Sequence, residues 1–450
     1  MSAEPVVRSA DGRSFTSTSI EGTPPGTLVV IEDPSGCAWL GLVEAWRGEE
    51  GIGGRLLGKL NEDELDAGPG LPFEGAQLHA ANETAIDALH RAVRATIEIG
   101  TMIAAPGPAR LLAHRFNRHT FWCGQSGSGK TYALGVVLEQ LLAHTGLPLL
   151  IFDPNSDFVR LGELREGVSG PDADALRSRD VRVLRPGGMD PLLVHFRSLP
   201  IEAKAAILRL DPVADPREFN TLLHSDEIAT ATERDTLLLQ LRASDDPGRQ
   251  GLADRIENLR VLDWEVWAGS RVPCSEVVRE RADATVLDLG GFSTPEQHLT
   301  VAISVLDDLW SRRSEREPVL LVIDEAHNLC SPDLMSPLAV AVRERIIQIA
   351  AEGRKYGLWL LVSTQRPSKI HPGIISQCDN LAVMKMSSPG DLEQLGSYFG
   401  VAPAGLLAMS PWFRQGEALF AGGFVPAPTL VKMGARLTPE GGGDVSVPLR

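Results

Sequence analysis

Short apolar runs broken by turn residues open the chain. Thr27 to Glu32 is rich in Val and Ile, Asp33-Pro34-Ser35-Gly36 is turn chemistry, and Ala38 to Ala45 is apolar again. That rhythm predicts short strands and, over residues 1–75, a small β-barrel or sheet. Asn61 to Gly75 is acidic and rich in Gly and Pro, and reads as a boundary or a long loop. Ala85, Leu89, Val93 and Ile97 recur at i, i+4 spacing and predict a helix that leads to the Gly/Pro-marked stretch Ala104 to Pro108.

From Thr120 the pattern changes to continuous apolar runs alternating with amphipathic stretches, which is how a parallel sheet covered on both faces reads. Thr120 to Cys123, Leu147 to Phe152, Ala284 to Leu289, Val319 to Ile323, Leu358 to Val362 and Leu381 to Met386 are the predicted strands. Gln297 to Arg312 and Leu338 to Ala351 carry apolar residues on one helical face. The fold class is α/β. Ile201 to about Trp267 has helical periodicity and many charges but no strand-like run, and predicts a helical insertion at about 198–268 within a core spanning 76–433. Leu430 to Met433 is a possible strand, and residues 434–450, with Gly441-Gly442-Gly443 as a flexible break, read as a tail.

Composition narrows the class without changing this picture. A chain of 450 residues, 43% hydrophobic and 23% charged, can bury a large core, and no apolar run reaches the roughly 18 to 20 residues that span a bilayer. Met1 to Phe15 lacks the basic-then-apolar order of a secretion signal, so the expected compartment is the cytoplasm. Cys37, Cys123, Cys274, Cys330 and Cys378 are scattered, with no C-x-x-C pair, which argues against a disulfide framework or a structural zinc site. With 43 Lys and Arg against 59 Asp and Glu, the net charge is -16, which argues against coating by nucleic acid through bulk electrostatics but leaves room for a basic pore.

Two segments carry the chemistry. Gly124-Gln125-Ser126-Gly127-Ser128-Gly129-Lys130-Thr131 fits G-x-x-x-x-G-K-[ST] between a predicted strand and the helix-like run Tyr132 to Ala143, the context a P-loop requires. Its glycines would let backbone N–H groups turn toward phosphates, Lys130 would lie along the β- and γ-phosphates of ATP, and Thr131 would give a hydroxyl to Mg²⁺. Val319 to Ile323 then delivers Asp324 and Glu325 at a strand end, with Asp324 expected to hold the metal through water and Glu325 to act as general base.

Three further segments refine the site. If the strand Leu358 to Val362 lay between the P-loop and Asp324 strands, Gln365 would come toward the γ-phosphate as a water-positioning group; otherwise it sits in a polar loop closed by Pro367. Arg354 either matches the dipole at a helix C-terminus or reaches the nucleotide of a neighbouring subunit. Asp153, in Phe152-Asp153-Pro154-Asn155, either supports the nucleotide and its water or caps a turn.

The run of motifs from the P-loop through Phe-Asp-Pro-Asn and Val-Ile-Asp-Glu-Ala-His to Glu352-Gly353-Arg354-Lys355-Tyr356-Gly357 and Ser363-Thr364-Gln365-Arg366-Pro367 resembles the HerA-like branch of the HerA/FtsK superfamily of translocases. The resemblance spans Ala104 to Met433 and is carried most specifically by Glu352 to Asp379. It implies a RecA-like P-loop NTPase core with a mainly parallel sheet behind a small N-terminal barrel, a homohexameric ring with DNA through a central pore, and a nuclease or other effector as partner. By position it gives Gln365 the sensor role and Arg354 the trans-acting arginine, with Arg366 a second interface candidate. Lys369 and His371, after the Gln-Arg-Pro motif, are candidates to face DNA, with a solvated loop as the plainer alternative. The expected activity is ATP-driven DNA translocation in end processing or antiviral defence. The alternatives are an ATP-controlled ring scaffold that activates an effector, and a conjugation or secretion ATPase.

Overall fold

The computed structural model describes residues 6–18, 23–48, 51–62, 64–224 and 234–442. Met1 to Pro5, at the start of the predicted N-terminal segment, and Gly443 with the rest of the predicted tail lie outside these residues.

The first segment closes on itself. Strands β1 (Val7–Ser9), β2 (Ser14–Ser17), β3 (Leu28–Glu32), β4 (Ala38–Trp46), β5 (Ile52–Asn61), β6 (Glu64–Asp66) and β7 (Phe73–Ala80) pair in the order β2-β1-β7-β3-β4-β5-β6, and a further β2–β5 pairing shuts the ring. Six of them therefore form a barrel, with β6 as a hairpin on β5. Closure leaves the six barrel strands without an unpaired edge, which is why strands this short can persist. Val7, Phe15, Ile31, Trp39 and Ile52 fill the interior. The acidic stretch expected as a loop is partly strand, and β7 carries the barrel's pairing to Ala80, opposite Val29.

Helix α1 (Glu83–Val93) is capped by Asn82, whose side chain accepts from Ala85 N–H, and it stops where Arg94 turns left-handed at φ 59°. Ile97, expected on that helix, instead begins β8 (Ile97–Met102), where Ile97 and Ile99 alternate with exposed neighbours. That period of two is a strand signal, and it overrides the i, i+4 match.

The remaining strands are β9 (Pro108–Leu111), β10 (His119–Cys123), β11 (Leu149–Asp153), β12 (Val181–Leu184), β13 (Ala284–Asp288), β14 (Val319–Ile323), β15 (Leu358–Thr364), β16 (Cys378–Val383), β17 (Glu417–Gly422) and β18 (Thr429–Met433). With β8 they make one sheet in the order β12-β13-β11-β14-β15-β10-β16-β17-β18-β8-β9. The block from β12 to β16 is parallel, and the pairings from β16 to β9 are antiparallel. Alternate residues of each central strand feed opposite cores: Leu321 and Ile323 pack with the helices Pro295–Ser311 and Pro337–Glu352, whereas Leu320 and Val322 pack with α2 (Lys130–His144). Barrel residues Leu28, Val30, Leu40 and Leu42 join the second core, so the barrel is seated on the sheet.

Between β12 and β13 the chain is helical, with Ile201–Ile207, Pro216–Leu223, Arg234–Arg242 and Pro247–Asn258 covering one side. No helix among the described residues is long and apolar enough to cross a membrane.

The start of the expected tail is not free. Arg436 is 1% exposed, its backbone N–H donates to the Tyr132 hydroxyl at 2.8 Å, and its Nε donates to Thr438 Oγ1 at 3.3 Å. Glu139 of α2 accepts from Leu437 N–H at 2.7 Å and Thr438 N–H at 2.9 Å, and pairs with Arg436 Nε at 3.4 Å. Gly441 N–H donates to Asp157 O at 3.1 Å. Residues 434–441 thus strap the P-loop helix to the turn after β11.

Candidate active site

Gly124 to Lys130 leaves the C-terminal end of β10 and enters α2 through Gly127 and Gly129, whose φ values of 76° and 84° are left-handed and strained for any other residue. Gly124 also has no room for a side chain, since a Cβ there would stand 2.7 Å from Ser128 Oγ and 2.8 Å from Met384 Cβ. Gly129 caps α2 without a side-chain hydrogen bond, so the first-turn N–H groups and the positive end of the helix dipole face the loop. That is anion-binding geometry.

Two neighbouring strands deliver the polar groups. The sheet order puts β15 between β14 and β10, the placement that brings Gln365 to the site. At the end of β14, Asp324 N–H donates to Phe152 O and Ala326 N–H to Ser363 O, while Glu325 takes a left-handed φ of 41°. A non-glycine residue held there costs about 1–2 kcal/mol, and strained backbone of this kind clusters at active sites.

The contacts converge on Lys130. Its Nζ donates to Asp324 Oδ1 at 2.8 Å and Ser363 Oγ at 2.9 Å, and stands 3.1 Å from Glu325 Oε1. Ser363 Oγ donates to Asp324 Oδ1 at 2.7 Å, and Gln365 Nε2 donates to Glu325 Oε1 at 2.7 Å. Burial alone would lower the Lys130 ammonium's pKa, but Asp324 and Glu325 hold it above its ordinary value. Glu325 Oε2 has His327 Nδ1 at 3.3 Å and makes no hydrogen bond; Asp324 Oδ2 and Ser128 Oγ are also buried without a hydrogen-bond partner.

Those orphan oxygens fit the expected ligands. Asp324 Oδ2 and the hydroxyl of half-buried Thr131 are both oxygen donors, the type Mg²⁺ takes when substrate phosphates and water supply the rest. Lys130, Gly127 and Gly129 fit a phosphate chain, while Gln125 is tied down, its N–H donating to Lys385 O at 2.9 Å and its Oε1 accepting from Ser387 N–H at 3.1 Å. Ser126 stands exposed at the tip. The strand expected over Leu381 to Met386 ends at Val383 because Met384 and Lys385 turn to follow the P-loop.

Other candidates lie further out. Asp153 is fully buried and accepts from Asp157 N–H at 3.0 Å and Phe158 N–H at 2.7 Å, so both its oxygens cap the turn. Burial raises its carboxyl to about 6 against the pull of those two bonds. Asp157 is pushed to about 7 by burial, with the charges of Asp324 and Asp153 adding to it. Arg366 is exposed at the β15 end, with no ion pair among the described residues. Lys369 pairs with Asp333 at 2.6 Å, and His371 Nδ1 accepts from Gly373 N–H.

Arg354 is elsewhere. It sits in the turn Gly353–Tyr356 before β15 begins, and its Nη1 donates to Asp379 Oδ2 at 2.6 Å, with Arg118 at 3.8 Å from the same oxygen. Its strand, Leu358–Thr364, is parallel to β10 and is 7 residues long, so Arg354 and the P-loop lie at opposite ends of the sheet, about 20 Å apart. Ser363 and His327 were not singled out from the sequence; their signal was only adjacency to Gln365 and to the Asp324-Glu325 pair.

The chain as a whole is similar to several known proteins. A family model described as the central domain of the helicase HerA matches residues 97–241. A DNA double-strand break repair helicase HerA from Pyrococcus furiosus is 23% identical over 433 residues, covering 84% of this chain and 76% of the relative. One of the same description from Sulfurisphaera tokodaii is 25% identical with the same coverage of 84% and 76%. VirB4 of Thermoanaerobacter pseudethanolicus superposes with a TM-score of 0.51 at 16% identity, covering 76% of this chain and 96% of that one, which speaks to the fold alone. Barrel, P-loop sheet and relatives spread along most of the chain make it a HerA-like protein with a RecA-like P-loop NTPase core.

Proposed function

We propose that this chain is the subunit of a homohexameric ring that hydrolyses ATP to move DNA through a central pore, working with a nuclease or other effector in DNA end processing or defence against foreign DNA. The observation that carries it is the division of the catalytic groups: Lys130, Asp324, Glu325 and Gln365 meet at one end of the sheet, while Arg354 stands on the surface at the other. An arginine that cannot reach its own P-loop can serve the next subunit's in a closed ring. Further support comes from the HerA helicases among its relatives.

In the proposed reaction the triphosphate lies along Gly124 to Lys130, and Lys130 Nζ turns from Asp324 toward the β- and γ-phosphate oxygens. Thr131 and Asp324 would hold Mg²⁺, which supplies charge neutralisation on those oxygens. Glu325 accepts a proton from a water as its oxygen attacks the γ-phosphorus, the bond to the β-phosphate oxygen breaks, and ADP leaves. Gln365, fixed on Glu325, orients that water, and Arg354 of the adjacent subunit meets the charge that develops.

The net charge of -16 makes the outer surface repel polyanions, so DNA contact would be confined to the pore. Lys369, beside the exposed Arg366 at the P-loop end, is a candidate for it. The expected result is that duplex DNA accelerates ATP turnover and that the acceleration fades between roughly 50 and 200 mM salt as phosphate contacts are screened. Turnover indifferent to DNA at low salt would contradict the motor and favour a ring scaffold that activates an effector.

A further inference from the structure

Asp324, Glu325, Ser363 and Gln365 all come from β14 and β15, on one side of the P-loop strand β10. On its other side lie β16 and β17, and the chain between them returns to the P-loop. Met386 N–H donates to Ser410 O at 3.4 Å, and Gly416 N–H donates to Ser128 O at 3.0 Å. A Cβ on Gly129 would meet Gly416 N at 3.3 Å and Gln415 Cγ at 3.4 Å, so the Gln415 side chain lies against the last glycine of the loop.

Between these anchors stand Trp412, 83% exposed, and the exposed Arg414 and Gln415. The turn is fixed rather than loose: Phe413 is buried, Arg414 N–H donates to Glu417 Oε2 at 2.8 Å, and Lys432 Nζ donates to Gln415 O at 2.6 Å. An indole left in water on a rigid frame adds nothing to folding, yet its flat face is the group that best receives a nucleobase.

Direction follows from the chemistry. The γ-phosphate must face the carboxylates at β14 and β15, so a nucleotide held along Gly124 to Lys130 sends its nucleoside toward β16 and β17. We propose that Trp412 to Gln415 forms the nucleoside subsite, with the Trp412 face stacked on a purine base and the Gln415 amide hydrogen-bonded to the nucleoside's polar edge. The assignment rests on reading Gly124 to Thr131 as a triphosphate cradle, and it names the purine nucleotide as what that cradle selects over bare polyphosphate.

The test titrates the full chain with Mg-ATP, Mg-ADP and inorganic tripolyphosphate. Trp412→Ala is expected to weaken ATP and ADP by about 5- to 100-fold, the range for losing one base stack, and to leave tripolyphosphate unchanged. Trp412→Phe should restore most of the loss, and Gln415→Ala should show a smaller one with the same selectivity. Wild-type ATP affinity in Trp412→Ala would overturn the subsite, as would an equal loss for tripolyphosphate, which would mean only a disturbed P-loop. Lys130→Ala serves as the separate control: its binding ATP like the wild type would overturn the cradle itself, and the subsite with it.

Discussion

Glu325→Gln is expected to lower ATP turnover by about 100- to 10,000-fold, the range for removing a general base, while the protein still binds ATP. The substitution keeps the side chain's size and removes its capacity to take a proton. Glu325 is 4% exposed and held at a left-handed φ of 41°, with Lys130 Nζ 3.1 Å from one oxygen and Gln365 donating to the same oxygen at 2.7 Å. Its other oxygen has no hydrogen-bond partner, and so is the atom free to receive water's proton. The P-loop glycines and Lys130 remain, so nucleotide binding should survive and the loaded state accumulate. Single-turnover hydrolysis measured beside equilibrium ATP binding checks both halves. Hydrolysis at the normal rate would show that the proton goes elsewhere.

The second large effect concerns the strap. Glu139→Ala is expected to destabilise the fold by about 3–5 kcal/mol, the usual result of removing one partner of a buried ion pair. Glu139 is 1% exposed, and its carboxylate receives two backbone N–H groups of the strap, the Thr438 hydroxyl and the Arg436 guanidinium. Arg436 Nη1 and Nη2 already lack hydrogen-bond partners, and burial lowers its pKa against the pull of Glu139 and Glu440. Without Glu139 the carboxylate left within ion-pair distance of that buried cation among the described residues is Glu440, at 3.8 Å. A urea-unfolding midpoint measures the loss, and the double variant Glu139→Ala with Arg436→Met should recover part of it because no uncompensated charge remains. A midpoint unchanged by Glu139→Ala would mean that the pair carries no stability.

Much of the site could be read from residues alone, for a physical reason. Parallel strands buried on both faces are written as unbroken apolar runs, so β10, β11, β13, β14 and β15 stood out, and their C-terminal ends named Lys130, Asp324, Glu325 and Gln365. The antiparallel half was harder. β17 reads Glu-Ala-Leu-Phe-Ala-Gly, with no clear period, and in β8 the period of two set by Ile97 and Ile99 competes with a helical spacing that ends on the same Ile97. β12, Val181–Leu184, is a half-buried edge strand too short to announce itself. Groups that depend on distant chain were illegible: Arg436 is ordinary in sequence and becomes buried only because Gly135 and Glu139 of α2 leave it a place. Trp412 likewise gains meaning only from the hydrogen bond that brings Gly416 to Ser128.

Mixing two impaired variants tests the proposed site between subunits most directly. Lys130→Ala should fail to bind or turn over ATP, and Arg354→Ala should bind ATP yet turn it over slowly. In mixed rings, an Arg354→Ala subunit with an intact P-loop can sit beside a Lys130→Ala subunit that offers its Arg354. ATP turnover by the mixture above that of either variant alone is the predicted result. Full activity in Arg354→Ala by itself, or a mixture no more active than its components, would contradict the shared site.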